Sequence, residues 1–516
     1  MTSPYYLPPP SDPRERGFWE RPGFLLALVL LSAVPLLWPT VPPLVDLPGH
    51  MGRYRVQLDI DSYPPLADWY DFEWQLIANL GIDLLVIPLA PLFGLQLAVK
   101  LIVVTIPAMT AAGFLWVARE IHGRIPPTAA FALPFAYSYP FLFGFANFAL
   151  SMALAFLAFG LWLHLGRKER VKLRAALFVP ISTLIWVTHA FGWGTLGVLA
   201  FSAELVRQHD RGHRFVEAGF RAALHCLALT PPIALMLMWR SGQAAGQTAD
   251  MFNYMAKLYS MLIVLRDRWL VLDFASLGVI LLLILRAVRS QRIAFSRNLA
   301  ASALFLLAVF ILLPRIIFGS AYADMRLAPF IFAVAVLAIR WKRWEDVKFA
   351  RTAALAALAF FLIRTGATTA SSFLYHQEWE RELAALDHVP QGARLVSFVG
   401  RSCRHGWYTP RMEHLPGLAL VRNHAFSNDQ WTMAGAQLLT VTYPKGGEFV
   451  RDPSQIVTPA KCPREQWLSI DQALKRFPRD AFDYVWLVDP PRYDPALTQG
   501  LRPIWRHGSS VLFQVE

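Results

Sequence analysis

Cysteine is nearly absent: three residues in a chain of 516 exclude a disulfide-stapled scaffold. Charged side chains are also scarce at 16%, against about 25% in soluble domains. That scarcity argues against a string of soluble domains, which this length would otherwise suggest at roughly 150 residues each. The sequence has no P-loop, no Gly-x-Gly-x-x-Gly opening a helix after a strand, no Gly-x-Ser-x-Gly elbow and no clustered Cys/His set, so nucleotide-driven chemistry within the chain has no motif to rest on. Tandem and inverted repeats are lacking too, which counts against common transporter architectures.

What the chain has instead is apolar sequence: 55% hydrophobic residues and a mean hydropathy of +0.38, the balance of a membrane protein. The formal net charge of +13 sits mostly in short connections between apolar runs. That distribution is the positive-inside pattern and excludes nucleic acid as the expected partner. Runs recur at Gly23–Trp38, Leu80–Phe93, Leu101–Val117, Thr128–Phe143, Ala146–Leu165, Leu177–Thr188, Phe191–Leu205, Phe220–Met238, Phe274–Leu285, Ala300–Phe318, Leu327–Ile339 and Thr352–Ile363. Several are shorter than the roughly 20 residues that span a bilayer. The first run lacks a small-residue cleavage site and reads as an uncleaved helix.

Basic connections at Arg167–Arg174, Arg207–Arg214, Arg286–Arg297 and Arg340–Arg351 are expected on the cytoplasmic side. The expected organisation is a cytoplasmic tail over 1–21, a transmembrane region over 22–370 with a first extracytoplasmic loop at 39–75, and an extracytoplasmic α/β domain over 371–516. The fold class is thus an α-helical polytopic membrane protein with about eleven crossings. Parity of the basic loops requires one run near Leu80, Leu101, Thr128 or Ala146 to be re-entrant or merged. In the last domain, alternation predicts strands at Ala393–Phe398, Tyr484–Val488 and Ser510–Val515, the last closing a hairpin, and helices at Leu383–Leu386 and Ile470–Phe477. Cys403 and Cys462 lie in this domain and can pair only in an oxidising compartment.

Ionisable residues away from the basic loops converge on the opposite face: Asp46, His50 and Arg53 in the first loop, His189 at a helix tip, Asp324 and Arg326 in a late turn. Charges at a bilayer boundary are functional candidates because desolvating them costs about 2.5–3.5 kcal/mol each. Asp46 precedes a helix predicted over Met51–Leu58 and is either its N-cap, a general base, or both. His50 either binds substrate or steers Asp46, or is an interfacial residue satisfied by water. Arg53 binds substrate or snorkels to headgroups. His189 either binds substrate or is buried against Thr188 or a carbonyl. Arg326 has the planar donors that suit a phosphate, unless it forms only a surface pair with Asp324. The segment Asp250–Asp273, with Arg266 and Arg268, reads as an amphipathic interfacial stretch that holds lipid or simply anchors. Asp59-Ile-Asp61 has a metal-pair spacing but no third ligand, so a divalent metal is not favoured and no cofactor is expected.

The arrangement resembles the GT-C superfamily of polytopic glycosyltransferases, which includes protein O-mannosyltransferases and lipid A aminoarabinose transferases. The resemblance rests on Pro43-Leu-Val-Asp-Leu-Pro-Gly-His50, Trp69–Trp74, Asn79–Leu84, Gly144-Phe-Ala-Asn-Phe148, the His189 tip, Asp324-Met-Arg-Leu-Ala-Pro329, and Phe482–Trp486 with Val511–Val515 in the last domain. No Lys-Pro-Pro-Leu segment like that of the aminoarabinose branch is present. The resemblance implies an inverting transfer from a polyprenyl-phosphate sugar donor to a lipid, glycan or protein acceptor, in a bacterial inner membrane with the last domain periplasmic. It also implies Asp46 as the base that deprotonates the acceptor, with Arg326, joined by Arg266 or Arg268, on the leaving phosphate. A transporter, flippase or receptor for a lipid-linked sugar is the competing class, and a membrane scaffold a third.

Overall fold

The computed structural model describes residues 16–240, 248–317, 320–342, 346–403, 406–433, 435–462 and 467–516. Most of the expected tail, and parts of the connections 241–273 and 340–351, lie outside the described residues. The chain is 62% helical with a strand-rich C-terminal region, as its composition and patterning predict.

Proline and glycine set many of the helix boundaries. The predicted helix Gly23–Trp38 is two pieces, α1 (Pro22–Leu31) and α2 (Val34–Leu37). Pro35 has no N–H to return to the Leu31 carbonyl, so the helix breaks there. Helix α3 (Leu47–Asp59) begins a turn earlier than predicted, with Pro48 in its first turn. Strand β1 (Tyr70–Phe72) follows, then α4 (Gly81–Phe93) and α5 (Leu95–His122), which meet at Gly94. The run Thr128–Phe143 is a 3-10 helix over Ala129–Tyr137 followed by α6 (Tyr139–Phe143). A 3-10 helix rises about 2.0 Å per residue against 1.5 Å in an α-helix, so a short run reaches further.

The remaining helices are α7 (Ala146–Arg167), α8 (Val171–Thr188), α9 (Ala190–Asp210), α10 (Phe215–Cys226), α11 (Pro231–Arg240), α12 (Tyr254–Leu262), α13 (Leu270–Arg289), α14 (Arg297–Leu312), α15 (Ala328–Leu337) and α16 (Val347–Leu383). Among the described residues, α5, α7, α8, α13 and α16 with its extension to His388 are long and apolar enough to cross a membrane. The α10–α11 pair, bent by 61°, makes a sixth if counted as one span.

Contacts sort the helix ends. At one end Arg211 pairs with Glu169 at 3.2 Å, Arg297 with Asp210, Arg292 with Asp346 at 3.1 Å and Arg124 with Glu20 at 2.7 Å. Strand β2 (Ile293–Phe295) pairs antiparallel with β3 (Ile339–Trp341) at the same end. All four basic connections therefore gather together. The opposite end carries the start of α3, the His189 tip, the turn before α15 and the strand-rich region.

In that region β4 (Arg394–Gly400) precedes α17 (Gly417–Asn423), β5 (Phe426–Ser427), β6 (Leu439–Val441), β7 (Ile456–Val457), α18 (Ile470–Arg476), β8 (Tyr484–Val488), β9 (Leu501–His507) and β10 (Ser510–Val515). The sheet order is β5-β4-β8-β10-β9, with β7 also on β4; β5, β7 and β8 run parallel to β4, and β10 antiparallel to β8 and β9. The closing hairpin is β9–β10. A Ser469/Gln472 capping box starts α18.

Two features escape a linear reading. Helix α16 continues to Leu383, so the composition change at Ser371 falls inside one helix. The loop 39–75 is built into the strand-rich region: β1 pairs with β6, and Val56, Leu66, Trp69 and Tyr70 share a core with Val396, Phe398 and Phe426. The Tyr70 hydroxyl donates to the Ser427 carbonyl at 3.1 Å and accepts from the Ser427 amide at 3.0 Å.

Candidate functional site

A cavity of about 1580 Å³ lies where the strand-rich region meets the helix ends. Asp46, His50, His189, Arg266, Asp324 and Arg326, distant in sequence, all line it. Arg53 and Arg268 do not. Arg53 forms an ion pair at 2.7 Å with Asp83, both side chains 1% exposed, so it neither snorkels nor reaches the cavity. Arg268 pairs with Glu378 at 2.9 Å and covers the Tyr375 ring, which puts it behind the cavity wall.

Asp46 occupies the N-cap position of α3 yet makes no side-chain cap bond, which leaves its carboxyl for other partners. Its amide donates to the Phe143 carbonyl at 3.0 Å. Burial, opposed chiefly by the charge of His414, pushes the Asp46 carboxyl up to about 7; Glu413 and Asp452 add to the rise and Arg326 lowers it. A carboxyl poised near neutrality is what a general base requires.

His414 is 3.9 Å from Asp46, with its other nitrogen 3.6 Å from the fully buried Asp429. Its Nε2 is also 3.9 Å from Asp452. Burial disfavours the charged ring, but the surrounding carboxylates of Asp429, Asp452 and Asp46 outweigh it and raise His414 to about 10, which favours the cationic form. Trp431 lies edge-on between His414 and His50, with centroids at 4.9 and 5.1 Å. His50 is held neutral by burial, then by Arg53 and His414.

His189 separates α8 from α9 and caps the latter: its Nδ1 accepts from the Phe191 amide at 3.1 Å. An accepting Nδ1 makes the ring neutral with its proton on Nε2. Of the alternatives the sequence left open, a bond to Thr188 or a carbonyl is not what the ring makes through Nδ1; it caps α9 instead. Arg326 is buried over Phe145, 4.1 Å from the ring centroid, donates to the Ala321 carbonyl at 3.0 Å, and has a buried Nε without a hydrogen-bond partner. No ion pair joins it to Asp324; Asp324 instead lies 3.5 Å from the buried Lys257, whose amine also donates to the Phe310 and Leu313 carbonyls at 2.8 and 2.6 Å. Arg266 is committed to protein groups, donating to the carbonyls of Trp407 at 2.6 Å and Gly406 at 3.1 Å and to the Tyr259 hydroxyl at 3.1 Å.

The amphipathic segment is inside out. On α12, Tyr254, Met255, Leu258 and Tyr259 are exposed while Lys257 and Ser260 are buried. An apolar outer face over a polar inner one suits a lipid surround. Asp59 of the carboxylate pair binds Arg55 and His424, each at 2.7 Å. Among the described residues no group of three His, Cys, Asp or Glu is placed to hold a metal ion.

His414, Asp429 and Asp452 were not anticipated, and Lys257 was expected only as a basic residue of the amphipathic segment. The first three lie in irregular segments outside the long apolar runs, and only Asp429 has a sequence signal, the polar stretch Asn428-Asp-Gln430 directly after β5. The chain matches no protein-family model, and no curated protein matches it.

Proposed function

We propose that this chain is a membrane glycosyltransferase of the GT-C kind, moving a sugar from a polyprenyl-phosphate donor to an extracytoplasmic acceptor. The observation that carries the reading is one cavity lined both by the Asp46 carboxyl, free of any cap bond, and by a buried Arg326 guanidinium with an unpaired N–H. Asp46 takes the proton from an acceptor hydroxyl, the oxygen attacks the anomeric carbon, and the carbon–oxygen bond to phosphate breaks with inversion. The negative charge left on the lipid phosphate is met by Arg326. Arg266 orders the 406–411 segment through its carbonyl bonds. The lipid chain enters beside α12, whose apolar outer face supports that route.

In this reading the chain crosses the membrane about eleven times, with α1–α2, α5, the run 128–143, α7, α8, α9, α10–α11, α13, α14, α15 and α16 as the crossings. The gathering of the basic connections at one end supports it, and α4, which turns directly into α5 at Gly94, is the run that does not cross. The disulfide Cys403–Cys462 supports an oxidising, extracytoplasmic location for the strand-rich region.

The test is mass spectrometry of lipids that co-purify with the detergent-solubilised protein, wild type against Arg326→Ala. A polyprenyl phosphate or its glycosylated form, depleted in the variant, is expected. Bulk phospholipid alone in both would sink the donor assignment. A transporter or receptor for the same lipid needs Arg326 but no base, so transfer by wild type and none by Asp46→Asn separates the classes.

A further inference from the structure

The reaction above assigns no role to His414, although its two ring nitrogens face three carboxylates within 4 Å at the cavity. Its ring arrives from the segment just before α17, whereas Asp46 comes from the first loop more than 360 residues earlier. Both sides are shaped for the approach. A Cβ on Gly49 of α3 would stand 2.6 Å from the Trp431 ring and 3.2 Å from His414 Nδ1, and one on Gly417 would stand 2.8 Å from Asp429 Oδ2. Asp429 is itself oriented: its Oδ1 accepts from Ser427 Oγ at 2.7 Å and Gln430 Nε2 at 3.2 Å, leaving Oδ2 facing His414. The ring's other nitrogen is equidistant from Asp46 and Asp452.

A buried carboxyl ionises poorly alone, because leaving water disfavours its charged form. An opposite charge a few ångströms away restores the balance, and a buried carboxylate behind the ring keeps that charge in place. We propose that His414, oriented by Asp429 and facing Asp46 and Asp452, is a positioning residue whose imidazolium, supplied by the C-terminal region, keeps the partly buried Asp46 able to act as a base. This rests on the reading of Asp46 as the base of a transfer reaction. The charged groups facing Asp46 are His414, Glu413, Asp452 and Arg326. Those facing His414 are Asp46, Asp429, Asp452, Glu413 and, as a neutral ring, His50. Glu413 is paired with Arg401 at 2.7 Å, which moderates its effect. His414 and Asp452 therefore act on Asp46 with opposite sign.

The experiment is a pH titration of the full-length protein in detergent by infrared difference spectroscopy, with the Asp46 carboxyl band identified by its loss in Asp46→Asn. His414→Gln is expected to move the midpoint of that band up by about one pH unit or more, and Asp452→Asn to move it down. A merely structural role for His414 produces no such reversal of sign. An unmoved midpoint in His414→Gln, or shifts in the same direction in both variants, overturns the proposal. Should His414→Gln fail to fold, Asp429→Asn weakens the imidazolium while keeping the ring. It must then shift the midpoint upward, and an unchanged midpoint again overturns the proposal. No substrate enters the titration. If the opposite shifts appear and Asp46→Asn still transfers sugar from a polyprenyl-phosphate donor, the electrostatic coupling stands and the base assignment falls.

Discussion

Gly144 and Asp46 touch so closely that a Cβ on the glycine would stand 2.5 Å from the Asp46 amide nitrogen. Gly144 has φ +109°, where L side chains are strained. Its neighbour Phe143 accepts the Asp46 amide hydrogen bond, so the corner after α6 holds the backbone of the candidate base.

Gly144→Ala therefore carries two costs, backbone strain of about 1–3 kcal/mol and displacement of Asp46. Gly94→Ala is the control: its φ is +76° but nothing lies within 4 Å of its Cβ position. Both variants should lower the thermal midpoint in detergent, while only Gly144→Ala should also shift the Asp46 titration and reduce transfer. Equal behaviour of the two would remove this corner from the site.

The elevated Asp46 carboxyl predicts a transfer rate that rises with pH through about 7, since its protonated form cannot accept the acceptor's proton. Stability runs the other way. A folded value above the ordinary 3.8 means the folded protein holds this proton more tightly than the unfolded chain, so the contribution is complete below about pH 4 and lost as pH rises through about 7. Asp46→Asn should be inactive and, above neutral pH, at least as heat-stable as wild type. Thermal midpoints measured across that range check the sign.

The ion pair between Arg53 and Asp83 is buried on both sides. Removing one partner strands a charge, at about 3–5 kcal/mol. Arg53→Met and Asp83→Leu should each lower the thermal midpoint strongly, and the double variant should recover much of the loss. Lipid recovery in the double variant should match wild type, because Arg53 does not line the cavity. Selective loss of the donor lipid there would return Arg53 to the site.

Cysteine accessibility tests the compartment. With Cys403 and Cys462 paired and Cys226 free, maleimide labelling of denatured, unreduced protein from native membranes should modify a single thiol, and prior reduction should expose the other two. Three reactive thiols without reduction would place the strand-rich region in a reducing compartment.

Much of the site was legible because its residues stand at the ends of apolar runs. A charged side chain is costly within such a run, so Asp46, His189, Asp324 and Arg326 stand out at the boundaries, and parity of the basic loops places them on one side. Strands β8 and β10 were legible as short runs rich in β-branched and aromatic residues, although β8 is buried along its whole length and shows no two-residue alternation. Pairing was not legible. Nothing near Arg53 announces Asp83, thirty residues away, and nothing near Asp324 announces Lys257. The adjacent charges Asp324 and Arg326 look like partners, but the turn between them sends each to a different neighbour.

The sequence by itself determined a largely helical chain with several helices long and apolar enough to cross a membrane, its strand-rich end and the polar residues that face that end, because apolar run length and charge placement are local properties that transfer energies read directly. The tertiary structure alone decided that the first loop belongs with the C-terminal region and that His414 faces Asp46. Those contacts join segments hundreds of residues apart through sheet pairing and close glycine packing, which no local periodicity encodes. The ionisation of Asp46 follows from them, because it depends on the burial and the opposing charge that only the assembled cavity supplies.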